Sequence, residues 1–392
     1  MIGARLGAST TALASTWVIT RLLLVGALTG HVPYPDGPLI INDVKLYAEW
    51  SNLLVTGRFP VGDDMWQYPP GAGVVFAVAA TLGSNPVAGF VLITLLCDLA
   101  TLAVLAVAGR RRHVGYGAAW AWVIGAVIVG PVFLARFDVL PTFAAVLTLV
   151  LIARPVWSGA AAGLGATLKV WPGLMLIALP RRSLPRGLLG FVLAVAAIFI
   201  GVSLWSTGGV SFLGEQGARG LQVESVGALP FMVANVFTEV PTEFRFGAME
   251  VDVPITIPLG LVITLVGFAT IGVLGVLRLM GRLESSAPVD VALTVLLISL
   301  VSSRVLSPQY SVWLLGVAAV VFLDPSSRLR PVVWILAPSV LVTQVIYPFG
   351  YGSYLDGAWW AVTLQVIRIT LLLLATGWSL FVVARQAALR PI

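Results

Sequence analysis

Residues 69–83, PPGAGVVFAVAATLG, decide how this chain is threaded. An apolar run of about 15 residues makes roughly 22 Å of α-helix, short of the roughly 30 Å of a bilayer hydrocarbon core. If the run crosses a membrane, the Arg110-Arg111-Arg112 cluster after the next apolar run faces outward. If it lies along the membrane surface, the cluster faces inward, as the positive-inside tendency prefers. The second threading is adopted. Pro69 or Pro70 then suits the first turn of a surface helix, and Trp66 and Tyr68 suit the interfacial aromatic belt.

The rest of the composition agrees with a membrane setting. Of 392 residues, 59% are hydrophobic and only 10% charged, and the mean hydropathy is +1.00, far outside soluble usage. The expected fold is all-α and polytopic, one integral-membrane domain over residues 1–392. Long apolar runs fall at 8–29, 86–109, 114–134, 187–206, 254–278, 331–347 and 359–383. Shorter ones at 137–153, 157–169, 170–180, 288–303 and 307–323 close the alternation at about twelve crossings with both termini cytoplasmic. The first run is too long for a signal-peptide core and stays as a helix. Two long outer loops result, 30–85 and 207–253, and most of the 17 acids fall on that side. A lone Cys97 excludes an internal disulfide, and His31 and His113 are too isolated for a zinc site, so neither metal nor cofactor is expected. The net charge of +6 sits between apolar runs, which is a topology signal rather than a nucleic-acid footprint.

Chemistry is expected at the outer face. Lys45, Arg58, Arg136 (in ARFDVLP), Lys169 (in TLKVWPG), Arg219 (in ARGLQVESVG) and Arg304 (in SSRVLSPQYSVW) lie there beside polar or aromatic neighbours. Lys169 follows a run of only about a dozen apolar residues, so its ammonium lies below the bilayer surface unless it snorkels outward. Several cations converging on one leaflet favour an anionic ligand, and phosphate is what Arg and Lys clusters recognise best. In the first loop, Asp43, Tyr47 and Trp50 share one face of a short helix. Asp43 there is either a general base or, like Asn42, a helix cap. Asp63-Asp64 reads as a solvated turn rather than a metal pair. Arg21, Asp98 and Arg368 lie inside apolar spans, facing a cavity or one another.

In this order the segments DVKLYAEW, QYPPG, RFDVLPTFAAVLTLVLIARPVWSGAAAGLGATLKVWPGLMLIALP, RGLQVESVGA and SSRVLSPQYSVWLL resemble glycosyltransferase family 87, within the GT-C clan of integral-membrane glycosyltransferases. The resemblance implies an inverting alpha-mannosyltransferase fed by a polyprenyl-phosphate-linked sugar donor. Its acceptor is a glycolipid or lipid-linked glycan, its location the plasma membrane with the site extracytoplasmic. Asp43 matches the catalytic base. Lys169, with Arg304, Arg219 and Arg136, would bind the donor phosphate. Tyr47, Trp50, Trp66, Tyr68, Gln309, Tyr310 and Glu224 are the candidates for the sugar and acceptor. Some members of the clan use an outer-loop His, for which only His31 is on offer. A related transferase using another polyprenyl-phosphate sugar, such as arabinofuranose, has the same phosphate chemistry. A transporter or flippase also needs many helices and intramembrane charge, but the chain lacks the two similar halves common in transporters.

Overall fold

The computed structural model describes residues 2–35, 40–209 and 219–388. In chain order the helices are α1 (Ile2–Leu28), α2 (Asn42–Leu54), α3 (Pro70–Ala79), α4 (Pro86–Arg111), α5 (Gly117–Val129), α6 (Val132–Ala135), α7 (Val139–Val150) and α8 (Pro155–Leu168). A 3-10 segment (Trp171–Ala178) leads to α9 (Leu184–Trp205), followed by β1 (Leu221–Gln222), α10 (Leu229–Ala234), β2 (Thr242–Arg245) and β3 (Ala248–Val251). The chain ends with α11 (Thr256–Leu279), α12 (Pro288–Val301), α13 (Tyr310–Val321), α14 (Arg330–Gln344), α15 (Tyr351–Leu355) and α16 (Trp359–Ala388).

Among the described residues, six helical segments are long and apolar enough to cross a membrane: Thr10–Leu28, Pro86–Arg111, Arg181–Trp205, Thr256–Leu279, Arg330–Phe349 and Trp359–Ala388. Helices α5, α7, α12 and α13 are apolar but of 12 to 14 residues, roughly 18–21 Å, less than the thickness of the hydrocarbon core. The crossing expected at 170–180 is not an α-helix. Its eight 3-10 residues rise roughly 16 Å, and Trp171 and Met175 are buried.

The deciding stretch does not traverse the protein. A Cβ on Gly71, at the start of α3, would meet Thr167 beside the end of α8, while Gly89, in the first turns of α4, lies against the Ala79 carbonyl. Both ends of α3 therefore sit at the face where α8 ends and α4 begins. The expectation of a helix lying on the membrane surface is corrected, however: seven of its ten residues are buried within the protein. Small residues allow this, because Gly71 and Gly73 leave room for Thr167 and the Phe59 ring where side chains would clash.

Helix α4 starts at an N-cap, Asn85, whose side chain accepts from the Ala88 N–H at 2.9 Å, with Pro86 at its first position. It ends with Arg110 and Arg111 at the opposite face. Helices α8 and α9 meet backbone to backbone, since a Cβ on Gly159 would lie 1.8 Å from the Gly187 carbonyl. Helix α9 buries only Gly187, Gly190 and Val202, and Leu189, Val192 and Leu193 point outward. On a helix this apolar, an unburied flank is a lipid-facing one.

One addition to the all-α expectation is a small antiparallel sheet of order β1-β3-β2. Its hairpin pairs Arg245 with Ala248, and the two turn residues, Phe246 and Gly247, both have positive φ, the conformation of a tight two-residue hairpin. The sheet lies on the same face as the first loop, where Gln67 donates to the Phe246 carbonyl at the hairpin turn at 3.4 Å, and an isolated bridge pairs Arg58 of that loop with Thr207 just after α9.

Candidate active site

The face carrying both loops collects most of the residues singled out from the sequence. Asp43 lies in the first turn of α2 with its side chain 41% exposed. The N-cap is Ile41 and no side chain caps the helix, so neither Asn42 nor Asp43 takes that alternative role. The Asp43 carboxylate instead pairs with the guanidinium of Arg136. Arg136 follows α6 in an extended conformation and is buried. It donates from Nη2 to the Tyr347 hydroxyl at 3.1 Å, and its Nε has no hydrogen-bond partner. Burial lowers its pKa from the ordinary guanidinium value, and Tyr347 and Asp138 work in the other direction.

Lys169 caps α8 in an extended conformation. Its ammonium donates to Asp138 Oδ1 at 2.7 Å and lies 4.9 Å and 5.1 Å from the ring centres of Trp313 and Tyr310, within reach of cation–π attraction. The same carboxylate oxygen accepts from Trp313 Nε1 at 2.5 Å. Lys169 keeps 21% of its side chain exposed and Asp138 only 1%. The other oxygen of Asp138 has no hydrogen-bond partner. Tyr310, Trp313 and Trp171 form a stack, with ring centres 3.9 Å and 5.0 Å apart, and Gln309 is half-buried at the start of α13.

Arg136 and Asp138 are two residues apart, so one short segment holds both Asp43 and Lys169. Sequence reading quoted this segment but passed over Asp138. A lysine below the membrane surface demands a partner, and an acid at the head of the neighbouring apolar helix is where that demand pointed.

The aromatic residues of the first loop behave differently from an open sugar platform. Tyr47, Trp50 and Trp66 are buried and pack with Phe76, with Tyr47 and Phe76 stacked at 4.8 Å and Trp50 and Trp66 edge to face at 5.1 Å. Trp50 donates to Asp63, which also accepts from the Met65 N–H, so Asp63 orders a turn. Tyr68 remains half-buried, its hydroxyl 3.0 Å from that of Tyr47. Burial and then the Asp138 charge push the Tyr68 hydroxyl pKa upward. His31 is exposed and bonded to Thr29.

The second loop supplies a separate cluster. Arg219 donates from Nε to Glu250 at 3.1 Å, from Nη1 to Gln67 at 2.5 Å and from Nη2 to the Phe246 carbonyl at 3.1 Å. All three nitrogens are thus engaged inside the protein. Arg304 donates to the Arg219 carbonyl at 2.8 Å and, among the described residues, has no carboxylate partner. Glu224 is enclosed: it pairs with Arg368 at 2.7 Å and accepts from Gln222 at 3.0 Å. Burial raises its pKa, while Arg368 and Gln222 lower it. The pairing question left open by the sequence is answered here. Arg368 goes to Glu224, and Arg21 pairs with Asp98 at 2.7 Å, where Trp17 and Trp122 donate as well.

The model of glycosyltransferase family 87 matches residues 66–308. The chain belongs to that family. No curated protein and no solved structure matches it. This glycosyltransferase carries Arg136, Asp138, Lys169, Arg219 and Arg304 within the matched residues, whereas Asp43, Tyr47 and Trp50 precede them and Tyr310 and Trp313 follow. Family membership makes the chain an enzyme that takes a sugar donor and an acceptor, and sets the transporter alternative aside. Among the described residues no group of three or more His, Cys, Asp or Glu forms a metal site.

Proposed function

We propose that this glycosyltransferase moves mannose from a polyprenyl-phosphate donor to a hydroxyl of a glycolipid or lipid-linked glycan, with inversion to an alpha linkage, on the extracytoplasmic face of the plasma membrane. The observation that carries the reading is the Arg136-Phe137-Asp138 segment, which joins an exposed carboxylate, Asp43, to a half-open ammonium, Lys169. The acceptor oxygen bonds to the sugar's anomeric carbon as the bond from that carbon to the phosphate oxygen breaks and its electron pair goes to the phosphate. Asp43 takes the acceptor's proton in concert, since that proton becomes acidic only as its oxygen bonds to carbon.

Lys169, Arg136 and Arg304 are the cations suited to the departing phosphate. Its charge grows along the reaction, so fixed cations stabilise the transition state more than the ground state. Arg219 braces the loops around them.

The test is transfer of radiolabelled mannose from polyprenyl-phosphate mannose in membranes holding wild type or Asp43→Asn at equal abundance. Activity in the wild type and its loss in the variant are expected. Full activity in the variant would remove Asp43 as base. Wild-type inactivity with mannose but activity with polyprenyl-phosphate arabinofuranose would change the donor and leave the phosphate chemistry standing.

A further inference from the structure

A cavity lies away from the loops, at the opposite face. It measures about 430 Å³ and runs between α4 and α7, a size typical of ligand pockets. Its walls are aliphatic: Val104 and Val107 on one side, Leu147 and Leu151 on the other. Its mouth carries Arg111, Arg112 and Arg154, all exposed.

These arginines have little to neutralise them. Arg112 donates to the Val150 carbonyl at 3.2 Å, and none of the three has an ion pair among the described residues. The acids of this face are engaged elsewhere. Glu284 pairs with Arg278, Asp290 accepts from Ser327 and from the Arg328 N–H, and Asp324 accepts from Ser326. An apolar slot in the flank of a membrane protein, closed at the interface by several unbalanced guanidinium groups, has the chemistry of one ligand class.

We propose that this cavity is a binding site for an anionic phospholipid, with one acyl chain lying between α4 and α7 and the headgroup phosphate on Arg111 and Arg154. Guanidinium matches phosphate in charge and in planar donor geometry. The site is distinct from the transferase site and does not depend on how that site is read, because α4 and α7 both start at the loop face and end at this one.

The experiment uses the full-length protein in detergent, titrated with phosphatidylglycerol, phosphatidylcholine or inorganic phosphate, with bound lipid counted by native mass spectrometry. Wild type is expected to retain one phosphatidylglycerol and to prefer it over phosphatidylcholine. Arg111→Gln with Arg154→Gln should weaken phosphatidylglycerol roughly thirtyfold, at about fivefold for each interfacial arginine. Ala103→Phe, which fills the slot and keeps the charges, should weaken both lipids. Equal affinity for the two lipids in wild type, or undiminished phosphatidylglycerol binding in the double variant, would overturn the proposal. So would competition by inorganic phosphate alone, or unchanged binding in Ala103→Phe, each of which would reduce the site to surface charge.

Discussion

Lys169→Ala and Asp138→Asn remove opposite halves of one ion pair, and their costs are unequal. Without Lys169 the Asp138 carboxylate, 1% exposed, stays charged in an apolar setting with one oxygen already unpartnered. Breaking a buried pair in this way costs about 3–5 kcal/mol. With Asp138→Asn the side-chain oxygen still accepts from Trp313, and Lys169, 21% exposed, turns toward water. That change costs about 1–2 kcal/mol. In the double variant no charge is left stranded, so its cost is about 2–3 kcal/mol and the coupling between the two positions about 2–4 kcal/mol. Unfolding in mixed micelles, followed by tryptophan fluorescence, measures all four proteins. Activity separates the roles further: both single variants lose donor turnover, and the double variant recovers stability without recovering transfer. Additive costs, with no coupling, would refute the pairing. Normal transfer by the double variant would refute the phosphate role of Lys169.

Three other substitutions probe the supports of the site. Gly71→Ala places a Cβ 2.7 Å from the Thr167 carbonyl, which cannot yield as a side chain would. A loss of about 1–3 kcal/mol is expected, with a raised KM for donor as Lys169 shifts, checked by thermal unfolding and kinetics. Arg368→Ala strands the buried Glu224 carboxylate and is expected to cost about 3–5 kcal/mol, whereas Arg368→Met with Glu224→Leu recovers most of it; chemical denaturation of both variants is the check. Arg304→Gln gives up one hydrogen bond to a carbonyl, about 1 kcal/mol of stability, and is expected to raise the KM for the lipid donor well beyond that of a neutral surface change.

The sequence carried the membrane class, the non-crossing α3 and the residues that gather on the loop face, because charge in an apolar chain is expensive and its position is informative. Asp98 and Arg21 show the limit of that signal. Their charges demanded partners, but whether Arg21 or Arg368 met Asp98 depended on helix packing that one sequence does not display. Trp50 and Trp66 show another limit. Aromatic residues in a polar loop read equally as a sugar platform and as a local core, and burial against Phe76 decides for the core. The burial of α3 was missed because a short apolar segment looks the same in lipid and in protein. The glycines at 71 and 73 were the local clue.

The carbonyl of Phe246, at the tip of the β2–β3 hairpin, accepts from Arg219 and also from Gln67 of the first loop. With the Arg58–Thr207 bridge, it gives the two loops shared hydrogen bonds although the joined positions lie 149 or more residues apart in the sequence. Segments bonded in this way open as one cooperative unit with a single free energy. Amide exchange is therefore expected to protect the two loops alike, and a substitution that loosens the hairpin tip to release amides near Gln67 by the same factor.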